Sequence, residues 1–120
     1  MARMIMTVDD STSMRQMVKA TLLSAGYDVV EASDGQEALE YARENPVDLV
    51  ITDVNMPRMD GITLVSELRL LPAYRLIPLL LLTTESTMEK KMEGKKAGAT
   101  GWIVKPFNPA QLLATLARVL

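Results

Sequence analysis

At 120 residues, with a net charge of −2 and 48% hydrophobic residues, the chain is long enough for one domain with a full core and needs no disulfide or metal to hold it. The absence of cysteine excludes thiol redox chemistry and thiolate metal sites, and the absence of histidine excludes histidine-based triads, the usual zinc sites and a histidine phosphodonor within the chain. The slightly acidic balance gives no general affinity for nucleic acid, Asp9-Asp10 come too early for a signal peptide, and the longest apolar run, residues 77–82, contains Pro78 and is too short for a bilayer, so a cytoplasmic protein is expected.

Met4–Val8 is a short apolar run that predicts a first strand. A helix follows, with Met14, Met17, Val18, Leu22 and Ala25 on one face and Gly26 closing it. Residues 27–32 predict a second, partly alternating strand. Asp34 opens the next helix, and Glu37 is spaced for a capping box; Ala38, Leu39 and Ala42 face inward, and Asn45-Pro46 stops it. The third run ends at Asp53 and is apolar on both faces, as suits a central strand of a parallel sheet covered by helices on each side.

Ile62, Leu64, Val65 and Leu68 mark a third helix, which stops before Pro72. Residues 79–82 are all leucine, a helix former, but the run is too short for a helix and is bounded by Pro78 and Thr83-Thr84, so it predicts a fourth strand. Met88–Ala97 predicts the weakest helix: it is charged, poorly periodic and interrupted by Gly94, which costs about 1 kcal/mol relative to alanine. Gly101–Val104 predicts a fifth strand. The last helix starts with Asn108 as cap, Pro109 in the first turn and Gln111 after it, and buries Leu112, Leu113, Leu116, Val119 and Leu120. Strands alternating with helices imply an α/β domain with a mostly parallel sheet and right-handed crossovers. No linker or repeat interrupts it, so one domain over residues 1–120 with no output domain is expected.

A sheet of this kind presents its chemistry at the carboxyl ends of its strands. Asp9-Asp10 follow the first strand, Asp53 ends the third, Thr83-Thr84 end the fourth and Lys105 follows the fifth, so these groups converge on one edge. Alone, Asp53 would read as a turn residue and Asp9-Asp10 as caps of the first helix. Two adjacent acids opposite a third acid and a lysine point instead to a site. Three carboxylates brought together repel one another, and a divalent cation relieves the repulsion. Oxygen donors without nitrogen or sulfur suit magnesium, and Lys105 adds a compact positive charge. The set fits phosphoryl transfer to a carboxylate, giving an aspartyl phosphate. Charge alone does not say which aspartate attacks: Asp9-Asp10 adjoin and suit metal holding, whereas Asp53 stands singly.

Taken in order, Asp9-Asp10, Asp53-Val54-Asn55-Met56-Pro57-Arg58-Met59-Asp60-Gly61, Thr83 and Lys105-Pro106-Phe107 resemble a two-component response-regulator receiver domain over the whole chain. The resemblance implies a flavodoxin-like (βα)5 domain with sheet order 2-1-3-4-5. It implies Asp53 as phospho-acceptor, magnesium held by Asp10, Asp53 and the backbone carbonyl of Asn55, and Asp9 acting largely through water. It also implies that Lys105 pairs with Asp53 and then with the phosphoryl group, that Lys105-Pro106 is cis, and that the Thr83 hydroxyl moves to meet the phosphoryl group. Trp102 takes the aromatic switch position, turning from a solvent-facing to a more buried rotamer.

Asp9-Asp10-Ser11-Thr12-Ser13-Met14-Arg15, Ala25-Gly26-Tyr27 and Phe107-Asn108-Pro109 resemble, more narrowly, stand-alone chemotaxis receivers of the CheY type. Thr84 and Trp102 depart from the family's usual alanine and tyrosine or phenylalanine. The implied partners are a histidine kinase as phosphodonor, a flagellar motor switch protein or other output protein, and a phosphatase. They would act on a monomer with no nucleic-acid or membrane partner. Lys90, Lys91, Lys95 and Lys96, on the weakest helix and next to Trp102, are the candidate target face. Met4, Met6, Met14 and Met17 read as core, Met56 and Met59 as partner contacts beside Asp53. Three other readings compete: a receiver in a phosphorelay unrelated to chemotaxis, a degenerate scaffold, and an aspartyl-phosphate phosphohydrolase, which would want an acid where Asn55 stands.

Overall fold

The structure, a computed structural model, describes residues 2–120. Strands β1 (Met4–Val8), β2 (Asp28–Ala32), β3 (Leu49–Thr52), β4 (Leu79–Thr83) and β5 (Gly101–Val104) alternate with helices α1 (Thr12–Ser24), α2 (Gly35–Glu44), α3 (Gly61–Arg69), α4 (Met88–Ala97) and α5 (Pro109–Val119). All strand pairs are parallel, in the order β2-β1-β3-β4-β5, which is the expected order. The leucine run is a strand because it pairs on both edges, Val50 with Leu79 on one side and Leu80 with Gly101 on the other.

Side chains alternate across the sheet and so divide two cores. Met6, Val8, Val50, Leu79 and Leu81 pack with Ala38, Leu39, Leu64, Val65 and Leu68, under α2 and α3. Ile5, Leu49, Ile51, Leu80 and Leu82 pack with Val18, Leu22, Leu112 and Leu116, under α1 and α5. Among the described residues no helix is long and apolar enough to cross a membrane.

Several local expectations need correction. Met17 is 57% exposed, and Ala25 is exposed too. The buried stripe of α1 is narrow, with Val18 and Leu22 one turn apart, and Met17 lies about 100° round the helix from Val18. The second strand begins at Asp28, since the Tyr27 N–H is already committed to the Leu22 carbonyl. Asp34 caps α2 by accepting the Glu37 N–H at 2.8 Å, but the Glu37 carboxylate reaches back to the Ser33 N–H at 3.2 Å, one residue beyond the Asp34 N–H of a standard capping box. Gly94 has a packing reason: a Cβ there would lie 2.8 Å from Leu81 Cδ1 and 2.9 Å from Trp102 Cζ3, so glycine lets α4 close on the indole.

The loop after β3 is strapped to the start of α2. Gly35 N–H donates to the Met59 carbonyl at 3.2 Å, and Arg58 Nε donates to Asp34 Oδ2 at 2.8 Å. Arg58 sits at φ 66°, in the left-handed region that arginine seldom occupies. Arg58 and the Glu37 backbone N–H hold the Asp34 carboxyl below its usual range. Stability from a depressed carboxylate is present above the unfolded value, about 3.9, and is lost as pH falls through the lower folded value. Arg58→Asn removes the ion pair while tolerating the backbone conformation. Thermal melts at a series of pH values should show the parent's advantage over this variant at neutral pH shrinking below about pH 4. An advantage that is constant across the acid range would exclude the Asp34–Arg58 pair as its source.

Candidate functional site

The carboxyl edge of the sheet gathers the acids because the parallel strands all end there. Asp9 follows β1 directly and is 4% exposed. Its Oδ1 accepts the Ser11 N–H at 2.9 Å and its Oδ2 accepts Lys105 Nζ at 2.8 Å. Asp53 lies one residue past β3 and is half-buried, and its N–H donates to the Val8 carbonyl at 2.9 Å. Asp53 Oδ1 accepts the Val54 N–H at 2.7 Å and Oδ2 accepts Lys105 Nζ at 3.2 Å. Asp10 is exposed, and its carboxylate takes no donor among the described residues.

Carboxylate oxygens of Asp9, Asp10 and Asp53 all lie within 4.8 Å of one another. One ammonium cannot balance three such charges, so the cluster suits a further cation. Its donors are all hard oxygens, the set that magnesium takes, and Asp10 offers it uncommitted lone pairs. Burial alone would lower the pKa of Lys105, but the hydrogen bond to Asp9 and the charges of Asp53 and Asp9 outweigh it and hold the ammonium above its ordinary value. Lys105 is therefore cationic throughout the neutral range. The Lys105–Pro106 peptide is cis.

Thr83, at the end of β4, is fully buried. Its Oγ1 accepts the Glu85 N–H at 3.2 Å, and the Glu85 carbonyl accepts Trp102 Nε1–H at 2.9 Å. The Glu85 carboxylate accepts Asn55 Nδ2–H at 3.3 Å. Glu85 thus joins the acidic loop, the hydroxyl and the aromatic ring. Reasoning from the sequence passed it over, although an acid two residues beyond Thr83 was the available signal. The expected solvent-facing Trp102 is corrected: the ring is half-buried against Gly94 and held by its indole N–H, because the missing Cβ at Gly94 leaves room for it.

The lysines divide between two faces of α4. Lys91 and Lys95, one turn apart, line a cavity of about 250 Å³ with Ala99, Thr100, Gly101 and Trp102. Lys90 lies on the other side, in a cavity of about 190 Å³ with Asn55, Asp60 and Thr63, and pairs with Glu93 at 3.3 Å. Lys96 is exposed. Met88 and Met92, 71% and 63% exposed, extend the Lys91–Lys95 face and were missed as candidates. Met56 and Met59, read as partner contacts, are half-buried and pack against the core under α2 and α3. Thr84 is exposed beside the site loop.

A family profile described as the response regulator receiver domain matches residues 5–117. The chain is 42% identical to chemotaxis protein CheY1 of Helicobacter pylori, over 97% of this chain and 95% of that protein. The structure of chemotaxis protein CheY4 of Vibrio cholerae is 53% identical and superposes with a TM-score of 0.95, covering 100% of both chains. The receiver domain of sensor histidine kinase PA1611 from Pseudomonas aeruginosa, solved with a magnesium ion coordinated in its active-site cleft, is 28% identical with a TM-score of 0.91, covering 98% of this chain and 97% of that one. The chain spans 47% of a longer relative, the probable transcriptional regulator ycf27 of Porphyridium aerugineum, to which it is 39% identical.

Proposed function

Since the chain belongs to the response regulator receiver domain family, we propose that it is a CheY-like phospho-acceptor in which phosphorylation of Asp53 switches a partner surface. The observation that carries this reading is the Lys105 ammonium bridging Asp9 and Asp53 inside the three-acid cluster. Asp10, Asp53 and the Asn55 carbonyl would hold magnesium, with Asp9 acting through water. When bound, the ion supplies positive charge to the oxygens of the transferring phosphoryl group.

An Asp53 carboxylate oxygen attacks phosphorus, and the bond from phosphorus to the kinase's histidine nitrogen breaks. The bonding electron pair leaves with that nitrogen, which then takes a proton. Lys105, already desolvated and charged, turns from the carboxylates to the phosphoryl oxygens at little reorganisation cost. Thr83 leaves the Glu85 N–H for a phosphoryl oxygen. The freed Glu85 peptide shifts, and Trp102, hydrogen-bonded to its carbonyl, shifts with it. The expected coupling is a population shift of about 1–3 kcal/mol.

The responding face carries Trp102, Lys91 and Lys95 with Met88 and Met92, a mixture of apolar and basic groups that suits an acidic amphipathic partner. A histidine kinase as donor, a flagellar motor switch protein or other output protein, and a phosphatase complete this reading, in the cytoplasm. The phosphohydrolase reading has less support, because Asn55 stands where a second acid would act and is tied to Glu85.

Acetyl phosphate with magnesium should place one phosphoryl group on each chain, and a chelator should prevent it. Sustained release of phosphate from small esters over many turnovers would favour the hydrolase instead. Magnesium binding followed by calorimetry should weaken more in Asp10→Ala and Asp53→Ala, the direct ligands of this reading, than in Asp9→Ala, which acts through water. The reverse order would make Asp9 the direct ligand.

A further inference from the structure

Arg15, on the first turn of α1, has no place in the phosphoryl chemistry, yet it reaches the acidic cluster from behind. Its Nη1 donates to the backbone carbonyl of Asp9 at 2.6 Å, and its Nε donates to Glu31 Oε1, on the edge strand β2, at 3.3 Å. The other Glu31 oxygen accepts Lys19 Nζ at 3.2 Å. The Arg15 side chain is 15% exposed, so the guanidinium is largely withdrawn from water and fixed at both ends.

The Asp9 carbonyl belongs to the peptide that joins Asp9 to Asp10. Peptide planarity means that fixing this oxygen fixes the plane, and with it the direction in which Asp10 leaves the backbone. The Asp9 carboxylate is held independently, by the Ser11 N–H and Lys105. Among the described residues, nothing holds the Asp10 side chain in this way. Mutual repulsion of the three acids acts on this loop, and only its backbone resists the displacement of Asp10.

Resting on the divalent-cation reading above, we propose that Arg15 is a positioning residue for that site: its clamp on the Asp9–Asp10 peptide, braced by Glu31, presets Asp10 as a ligand. The proposal predicts an effect opposite in sign to simple electrostatics. Removing a cation beside three carboxylates should tighten magnesium binding if charge alone matters. Removing the clamp should weaken it, by about tenfold, as for other groups that orient metal ligands from outside.

Magnesium titrations of the whole chain, read by calorimetry and by Trp102 fluorescence, separate the two. Arg15→Met should bind magnesium about tenfold more weakly than the parent. Arg15→Lys keeps the charge but cannot hold both acceptors in one planar fork, and should show a smaller loss. Lys19→Met removes a cation from the same Glu31 without touching Asp9, and should bind at least as tightly as the parent. Melting without magnesium reports folding separately, and if Arg15→Met does not fold, Arg15→Lys decides. Parent-like or tighter binding by the Arg15 variants, or an equal loss in Lys19→Met, overturns the positioning role. If the parent itself shows no saturable magnesium binding, the divalent-cation reading fails first and takes this one with it.

Discussion

Asp53→Asn is expected to abolish labelling by acetyl phosphate in the presence of magnesium. An amide oxygen carries no charge, is a poor nucleophile and is a weaker ligand for a hard cation. The variant should still fold, because the amide oxygen can accept the Val54 N–H that Asp53 Oδ1 accepts now, and Lys105 keeps its 2.8 Å partner in Asp9. Without metal it should melt no lower than the parent, since one of three mutually repelling charges is gone. Incorporation of labelled phosphate measures the first effect and calorimetry the second. Undiminished labelling would remove Asp53 from the acceptor position and return the choice to Asp9 and Asp10.

Gly61→Ala is expected to injure both the fold and the site. A Cβ on Gly61 would fall on the backbone carbonyl of Asp53 and close to the backbone of Val54. The obstacle is backbone, not the flexible end of a side chain, so either the start of α3 or Asp53 itself must move. The Gly61 N–H donation to the Val54 carbonyl, at 2.8 Å, is strained by the same movement. Overpacking of this kind costs about 1–3 kcal/mol. The acceptor carboxylate moves with its backbone, so labelling should slow as well. Gly26→Ala supplies the contrast. Gly26 has φ 89° and open space where a Cβ would go, so alanine there should lower stability through backbone strain and leave labelling at the parental rate. A Gly61→Ala variant that melted and labelled like the parent would show that the close approach of α3 to Asp53 is not needed.

The elements were readable from the sequence where short-range rules govern them. Asp34, Asn108 and their following turns cap helices as their spacing suggests, and the alternation of apolar runs with helical stripes leaves little choice but a parallel sheet. The convergence of Asp9, Asp10, Asp53 and Lys105 follows from that topology, because parallel strands share one carboxyl edge. What was not readable depends on rotation about a helix axis or on contacts across elements. Met17 is exposed because of how α1 is turned against the sheet. The lysines of α4 separate onto two faces because that helix has little apolar stripe to fix its rotation in advance. Gly94 read as a cost until its contact with Trp102 gave it a purpose. Two of the three links of Glu85, to Asn55 and to Trp102, are tertiary and no local spacing announces them; only its N–H on Thr83, two residues back, is local.

The central claim is that phosphate chemistry at Asp53 is felt at Trp102 through Thr83 and Glu85. Trp102 is the only tryptophan, so its emission reports this without a label. Beryllofluoride with magnesium mimics an acyl phosphate on a carboxylate, and at saturation it should change either the emission of Trp102 or its accessibility to a neutral quencher. That change should be absent in Asp53→Asn and reduced in Thr83→Ala, which removes the hydroxyl that now accepts the Glu85 N–H. An unchanged parent spectrum at saturation, or an Asp53→Asn variant that responds like the parent, would contradict the account.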